Sequence, residues 1–310
     1  MPFSFRIFGF GSVNGTLCFH EYDNYGKIVL WNPSTQAINL IPLSLVESVE
    51  SSIPDAGEDL VSSIDVLSYL HGFGYDSVTD DYKVIRYVCF VCDTRGRLDD
   101  IFLDSLLKDI SLDSLWEIYS LRSNSWRKLD VDMPYSLECI EGTQVYMDGV
   151  CHWLCEDDYE SSQGHDSPSG PCLVSFDLSN DVFFTTPIPS DLDGCFYVGE
   201  LWINLVVLNE SIALISFHEK TASFHISILG ELAIKESWTK LVIVGPLDCV
   251  ERPIGVGMKG EIFFVRKDGE LAWLDLSTKM IEELGYKGGD PTARIIIYKE
   301  NILPIGGISN

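Results

Sequence analysis

Short runs of Val, Ile, Leu, Phe, Tyr and Trp recur from one end of this chain to the other, each closed by Gly, Asn, Asp, Ser or Pro. Runs this short read as strands, since a helix repeats its apolar residues at three- and four-residue spacing over a longer stretch. Only Leu103, Leu106, Leu107 and Ile110 have helical spacing. The chain must therefore cover both faces of several sheets and protect their edges, largely without helices.

Two kinds of turn order the strands. The first leads into a very apolar strand: Asn14-Gly15, Asp148-Gly149, Asn209-Glu210 and Lys259-Gly260. Asn-Gly and Asp-Gly suit a two-residue hairpin turn, whose centre needs positive φ. The second kind follows an aromatic or aliphatic strand, as at Trp31–Thr35, Tyr119–Trp126, Phe176–Asp181 and Leu274–Thr278, with a looser copy between Leu229 and Trp238. Here Asp, Asn and Ser side chains can accept hydrogen bonds from amides two residues on.

Taken in order, these turns divide the chain into repeated four-strand units, a-b-c-d, near residues 5–43, 71–133, 142–189, 198–244 and 252–286. A hairpin from Arg294 to Ile305 would form the inner part of a sixth unit. The spacing centres near the ~40–50 residues of a propeller blade, and radial stacking covers both faces of each sheet. The expected fold is all-β: a propeller-like ring of about five to six four-stranded antiparallel blades, with residues 1–310 as one domain.

In an up-and-down blade, the a–b and c–d turns share one end and the b–c and d–a connections share the other. The three long insertions, Glu47–Asp65 (d–a), Asp93–Leu115 (b–c) and Glu156–Pro171 (b–c), all belong to the second end. All three are acidic, and the first and third contain no Lys or Arg. Long loops on a regular scaffold are where binding concentrates. The candidate contact residues are Asp55, Glu58, Asp59, Asp99, Asp100, Asp157, Asp158 and Tyr159.

Charge narrows the partners. Lys and Arg number 21 against 47 Asp and Glu, a formal net charge of −26. Such a field repels nucleic-acid phosphates and anionic membranes, so neither is an expected partner, and a basic protein surface is the natural one. No apolar run reaches the ~20 residues of a membrane helix, and the N-terminal residues lack the pattern of a secretory signal. The nine cysteines then read as small buried hydrophobes in a reducing compartment, cytoplasmic or nuclear.

Signals for chemistry are weak. Cys89 and Cys92 form a C-x-x-C, but residues three apart on a strand point to opposite faces, and no second pair has matching spacing. His152 lies on an apolar strand and reads as a satisfied core histidine; His218 and His225 flank a turn and read as solvated. Neither a nucleophile elbow nor a phosphate loop is present. The expectation is a non-catalytic protein without cofactor or metal. The alternative is a propeller-fold enzyme or carbohydrate-binding module acting on a small molecule.

Several stretches carry a family resemblance. Gly11–Cys18 (GSVNGTLC) and Leu30–Thr35 (LWNPST) are followed in order by His71–Ile85 (HGFGYDSVTDDYKVI), Trp116–Leu121 with Ser125-Trp126-Arg127, Asp148–Leu154 (DGVCHWL), Leu173–Leu178 and Glu270–Asp275. Together they resemble the plant F-box-associated domain (type 1/3) of F-box proteins. The resemblance implies a substrate-recognition part of a cullin–RING (SCF-type) ubiquitin ligase, which binds a target protein while other subunits transfer ubiquitin. In such proteins an N-terminal F-box docks on a Skp1-type adaptor. No leucine-rich helix of that kind precedes Gly11 here, so adaptor binding is expected only if an F-box lies upstream.

Overall fold

The computed structural model describes residues 5–9, 11–21, 27–46, 61–94, 113–134, 143–155, 171–188, 201–234, 237–288, 293–302 and 305, with the side chains of 61–65, 91–94 and 201 left aside. Twenty strands form five four-stranded antiparallel sheets, each built from consecutive strands in chain order. Sheet 1 contains β1 (Phe5–Ile7), β2 (Leu17–Glu21), β3 (Ile28–Asn32) and β4 (Ala37–Leu40). Sheet 2 contains β5 (Val61–Asp76), β6 (Asp81–Thr94), β7 (Leu115–Ser120) and β8 (Ser125–Leu129). Sheet 3 contains β9 (Gln144–Met147), β10 (Val150–Cys155), β11 (Cys172–Asp177) and β12 (Val182–Pro187). Sheet 4 contains β13 (Leu201–Leu208), β14 (Ser211–His218), β15 (Ser223–Leu229) and β16 (Trp238–Val244). Sheet 5 contains β17 (Val250–Val256), β18 (Ile262–Arg266), β19 (Glu270–Leu274) and β20 (Ile281–Lys287). No α-helix occurs among the described residues; the helical spacing at Leu103–Ile110 lies outside them.

The turn chemistry explains the meander. Asn14 and Gly15, Asp148 and Gly149, and Asn209 and Glu210 all have positive φ, as a tight hairpin requires. The expected two-residue turn at Lys259-Gly260 is longer: Gly260 N–H donates to Gly257 O and Gly257 N–H to Glu261 O, with Gly260 in the left-handed region at φ 86°. That is a type I turn closed by a bulge. Three turns of the second kind share one geometry, which the β5–β6 turn at Asp76 repeats, whereas in Tyr119–Trp126 the Ser120 hydroxyl accepts the Ser123 amide instead. Asn32, Asp76, Asp177 and Asp275 each accept the amides two and three residues on. The fourth residue on, respectively Gln36, Asp80, Asp181 and Lys279, is left-handed in every case.

The residues group into two compact units. The first, residues 1–8, 14–133 and 301–310, carries sheets 1 and 2. Cys18, Ile28 and Leu30 of sheet 1 and Val84, Ile85 and Val88 of sheet 2 are completely buried, and the Thr16 hydroxyl donates to the Tyr82 hydroxyl at 3.2 Å. The second, residues 9–13 and 134–300, carries sheets 3 to 5. Leu154, Leu173 and Ile188 of sheet 3 and its following residues pack with Ile203, Leu205 and Leu214 of sheet 4. The opposite face of sheet 4, with Ala213, Ile215 and Ile226, packs with Val256, Ile262 and Phe264 of sheet 5. Strand alternation gives each sheet these two apolar faces.

Two expectations need correction. Among the described residues, those at the C-terminus form no hairpin opening a sixth unit. They run as one segment whose Ile295 N–H donates to Ile254 O, while Ile297 makes a parallel bridge to Gly11 and accepts from the Ser12 amide. The apolar run Ile295–Ile297 has its partners far off in the chain. Sheet 1 draws its four strands from residues 5–40. The second correction concerns sheet 2, which starts at Val61 rather than near residue 71.

Candidate partner-binding loops and their scaffold

The three long connections leave their sheets at the b–c or d–a end, as the observed strand order requires. Asp55, Glu58, Asp59, Asp99, Asp100, Asp157, Asp158 and Tyr159 all lie outside the described residues, so their mutual geometry is not part of the structure. What the structure supplies is the scaffold from which they depart. Residues 47–60 include Glu47, Glu50, Asp55, Glu58 and Asp59, and residues 156–170 include Glu156, Asp157, Asp158, Glu160 and Asp166, with no Lys or Arg in either. Ten of the chain's acidic residues therefore leave the sheets on two connections that carry no compensating cation.

Sheet 2 mounts two of the connections on a projecting ribbon. β6 pairs with β7 only from Lys83 to Val88, whereas its pairing with β5 continues to Thr94 opposite Val61. The extra length, 89–94 against 61–67, is a two-stranded ribbon beyond the rest of the sheet. It was missed in sequence because Val61–Asp65 holds two serines and an aspartate and reads as loop; the apolar partner strand supplies its ladder. The chain before residue 47 carries a further unforeseen feature, with Leu43 63% and Leu45 90% exposed. The pattern Ile41-Pro42-Leu43-Ser44-Leu45 was its only sequence sign.

Two of the cations of sheet 2, Lys83 and Arg86, are paired inside it, while Arg127 and Lys128 on β8 are exposed. Lys83 Nζ is 2.8 Å from Asp76 Oδ2. Arg86, completely buried, donates to Glu117 Oε2 from Nη2 at 2.8 Å and from Nε at 3.1 Å. Its guanidinium also stacks 4.0 Å from the centroid of the Trp126 ring, whose Nε1–H donates to Pro42 O. Asp81 accepts from the Ser120 hydroxyl and the Arg122 amide. Buried pairs of this kind fix geometry but offer nothing to a partner.

Elsewhere Lys27 pairs with Glu21, and Arg266 with Asp268 and Glu283. His152 is 1% exposed, its Nδ1 2.8 Å from Ser175 Oγ and its Nε2 without a partner, so the expected satisfied histidine is satisfied on one side only. Burial pulls its pKa down to about 4, because the charged form loses its hydration. His218 and His225, expected to be solvated, are half-buried and stack at 3.8 Å between ring centroids. Burial, with Lys240 and, for His225, the neighbouring imidazole, lowers both. Burial raises the thiols of Cys18, Cys89 and Cys151, so these favour the inert protonated form. Cys89 and Cys92 sit on β6 opposite Leu67 and Ile64. Among the described residues, no group of three or more His, Cys, Asp or Glu side chains is placed to hold a metal ion.

Comparison with known proteins agrees with this architecture. The family model described as "F-box associated beta propeller domain" matches residues 4–300. F-box protein CPR1 of Arabidopsis thaliana is 24% identical over 300 residues, covering 90% of this chain and 63% of its own length. An F-box/kelch-repeat protein of the same plant is 25% identical, covering 79% and 55%, and another F-box protein 25% identical, covering 89% and 64%. The chain thus spans less than two thirds of the length of these relatives. A solved oligogalacturonate lyase in complex with manganese covers 94% of this chain and 86% of its own at 8% identity; its TM-score of 0.37 is too low to bear on fold or chemistry.

Proposed function

The chain belongs to the F-box associated beta propeller domain family, and from that premise we propose that it is a protein-recognition module which binds a target for a cullin–RING ubiquitin ligase. Its work is binding and positioning, with bond making left to other subunits. Contact with a Skp1-type adaptor depends on an F-box elsewhere in a longer protein, as the names of its relatives suggest. The module then acts where such ligases act, in the cytoplasm or nucleus.

The observation that carries this reading is the placement of charge. Two cation-free acidic connections leave the sheets at the b–c and d–a ends, while Lys83 and Arg86 of sheet 2 are paired internally. The target surface is therefore basic, and Asp55, Glu58, Asp59, Asp157 and Asp158 steer its approach, with Asp99, Asp100 and Tyr159 completing the contact. Steering of this kind speeds association more than it tightens the complex, and salt screens it.

The test is affinity capture from plant extract with the wild-type chain and with a variant carrying Asn or Gln at those five positions. A captured protein should associate on the order of tenfold more slowly with the variant at low salt, and the difference should vanish at high salt. Equal rates at every ionic strength would remove these loops from the binding surface. A longer form with an F-box should also bind a Skp1-type adaptor, and this chain alone should not.

A further inference from the structure

The two cysteines that bracket the third long connection face each other. In the ladder between β10 and β11, register runs from Val150 opposite Asp177 to Cys155 opposite Cys172, the last pair before residues 156–171 leave the sheet. Directly opposed residues share a face, and their Cα atoms sit roughly 4.5–5.5 Å apart in antiparallel pairs, inside the roughly 4.4–6.8 Å that a disulfide requires. Both are buried, 5% and 7% exposed. Cys151 lies on the same face but one strand turn back, opposite Phe176. Four residues of strand put it roughly 13 Å from Cys155, beyond bridging distance.

We propose that Cys155 and Cys172 are a reversible redox site, oxidised by hydrogen peroxide to a disulfide that closes the base of the 156–171 connection. One thiolate attacks the peroxide, the O–O bond breaks, and a sulfenic acid and one water form. The second thiol then displaces the sulfenic oxygen as a second water, making the S–S bond. The two thiols lose two protons and two electrons, and the peroxide takes up both. In a reducing compartment such a bridge would be transient rather than a permanent staple. The consequence for partner binding rests on the reading that Asp157, Asp158 and Tyr159 belong to the contact surface: the bridge fixes the two stems from which they project.

The test is peptide mapping of the purified chain, freed of reductant and treated with hydrogen peroxide. A linked peptide joining Cys155 to Cys172 should appear, the free-thiol titre should fall from the nine of the sequence by two, and dithiothreitol should reverse both. After proteolysis within 156–171 the oxidised chain should stay in one piece without reductant and separate with it. C155S and C172S should each lack the link, and C151S, an equally buried control, should keep it. Recovery of Cys172 unlinked, or joined to another cysteine, in oxidised wild type would overturn the proposal. Mapping needs no partner, so a bridge that forms without altering target capture supports the redox site and counts against the 156–171 contact instead.

Discussion

Arg86 and Glu117 lie directly opposite each other on β6 and β7, joined by two hydrogen bonds to one carboxylate oxygen, with the guanidinium completely buried. Removing one partner leaves the other charge stranded. Glu117→Ala should cost about 3–5 kcal/mol, while replacing both residues by apolar ones of similar volume should be close to neutral. Urea denaturation of the single and double variants separates these outcomes. A single variant as stable as wild type would mean the pair is solvated.

Acid should weaken the fold through His152. Its folded pKa of about 4 lies below the usual histidine value, so between those limits the unfolded chain binds a proton that the folded chain refuses. Stability is fully present above pH ~6.5 and falls as pH drops toward 4, by about 1.4 kcal/mol per unit. Denaturation midpoints between pH 7 and 4.5 should decline less steeply in His152→Gln than in wild type. Equal slopes would place the ring in contact with water.

Packing of the C-terminal segment on residues 9–13 can be tested at Gly11. A Cβ there would come 2.5 Å from Ile297 O, so the segment must shift. Gly11→Ala should cost about 1–3 kcal/mol, as overpacking generally does, and should speed amide exchange at Ser12, which donates to Ile297 O. Unchanged exchange at that amide would contradict the docking.

The turn at Asp275 predicts opposite signs within five residues. Its carboxylate accepts the Ser277 and Thr278 amides, and Lys279 is left-handed at φ 58°. Asp275→Ala should lose stability with its hydrogen bonds, and Lys279→Gly should gain about 1 kcal/mol by removing a strained side chain. Thermal melts of the two variants should move in opposite directions.

What was legible in sequence was local. Asn32, Asp177 and Asp275 announced their turns because each side chain bonds amides two and three residues on, and the alternation between turns marked the strands. What was hidden depended on distant partners. Val61–Asp65 became strand only through β6, Arg294–Tyr298 found Gly11 and Ile254 rather than a neighbour, and Cys155 met Cys172 only once the β10–β11 register was known. His152 was read as buried from its apolar flanks, but its bare Nε2 is a tertiary outcome that no local pattern records. The candidate contact residues were named from loop length and charge, and they rest on that basis still.

Hydrogen exchange of the chain with and without a captured target tests the central claim most directly. The account predicts slowed exchange in residues 47–60, 95–112 and 156–170 and none at the Asn32–Gln36, Asp177–Asp181 and Asp275–Lys279 turns. Protection at those turns, with the three long connections unchanged, would contradict it.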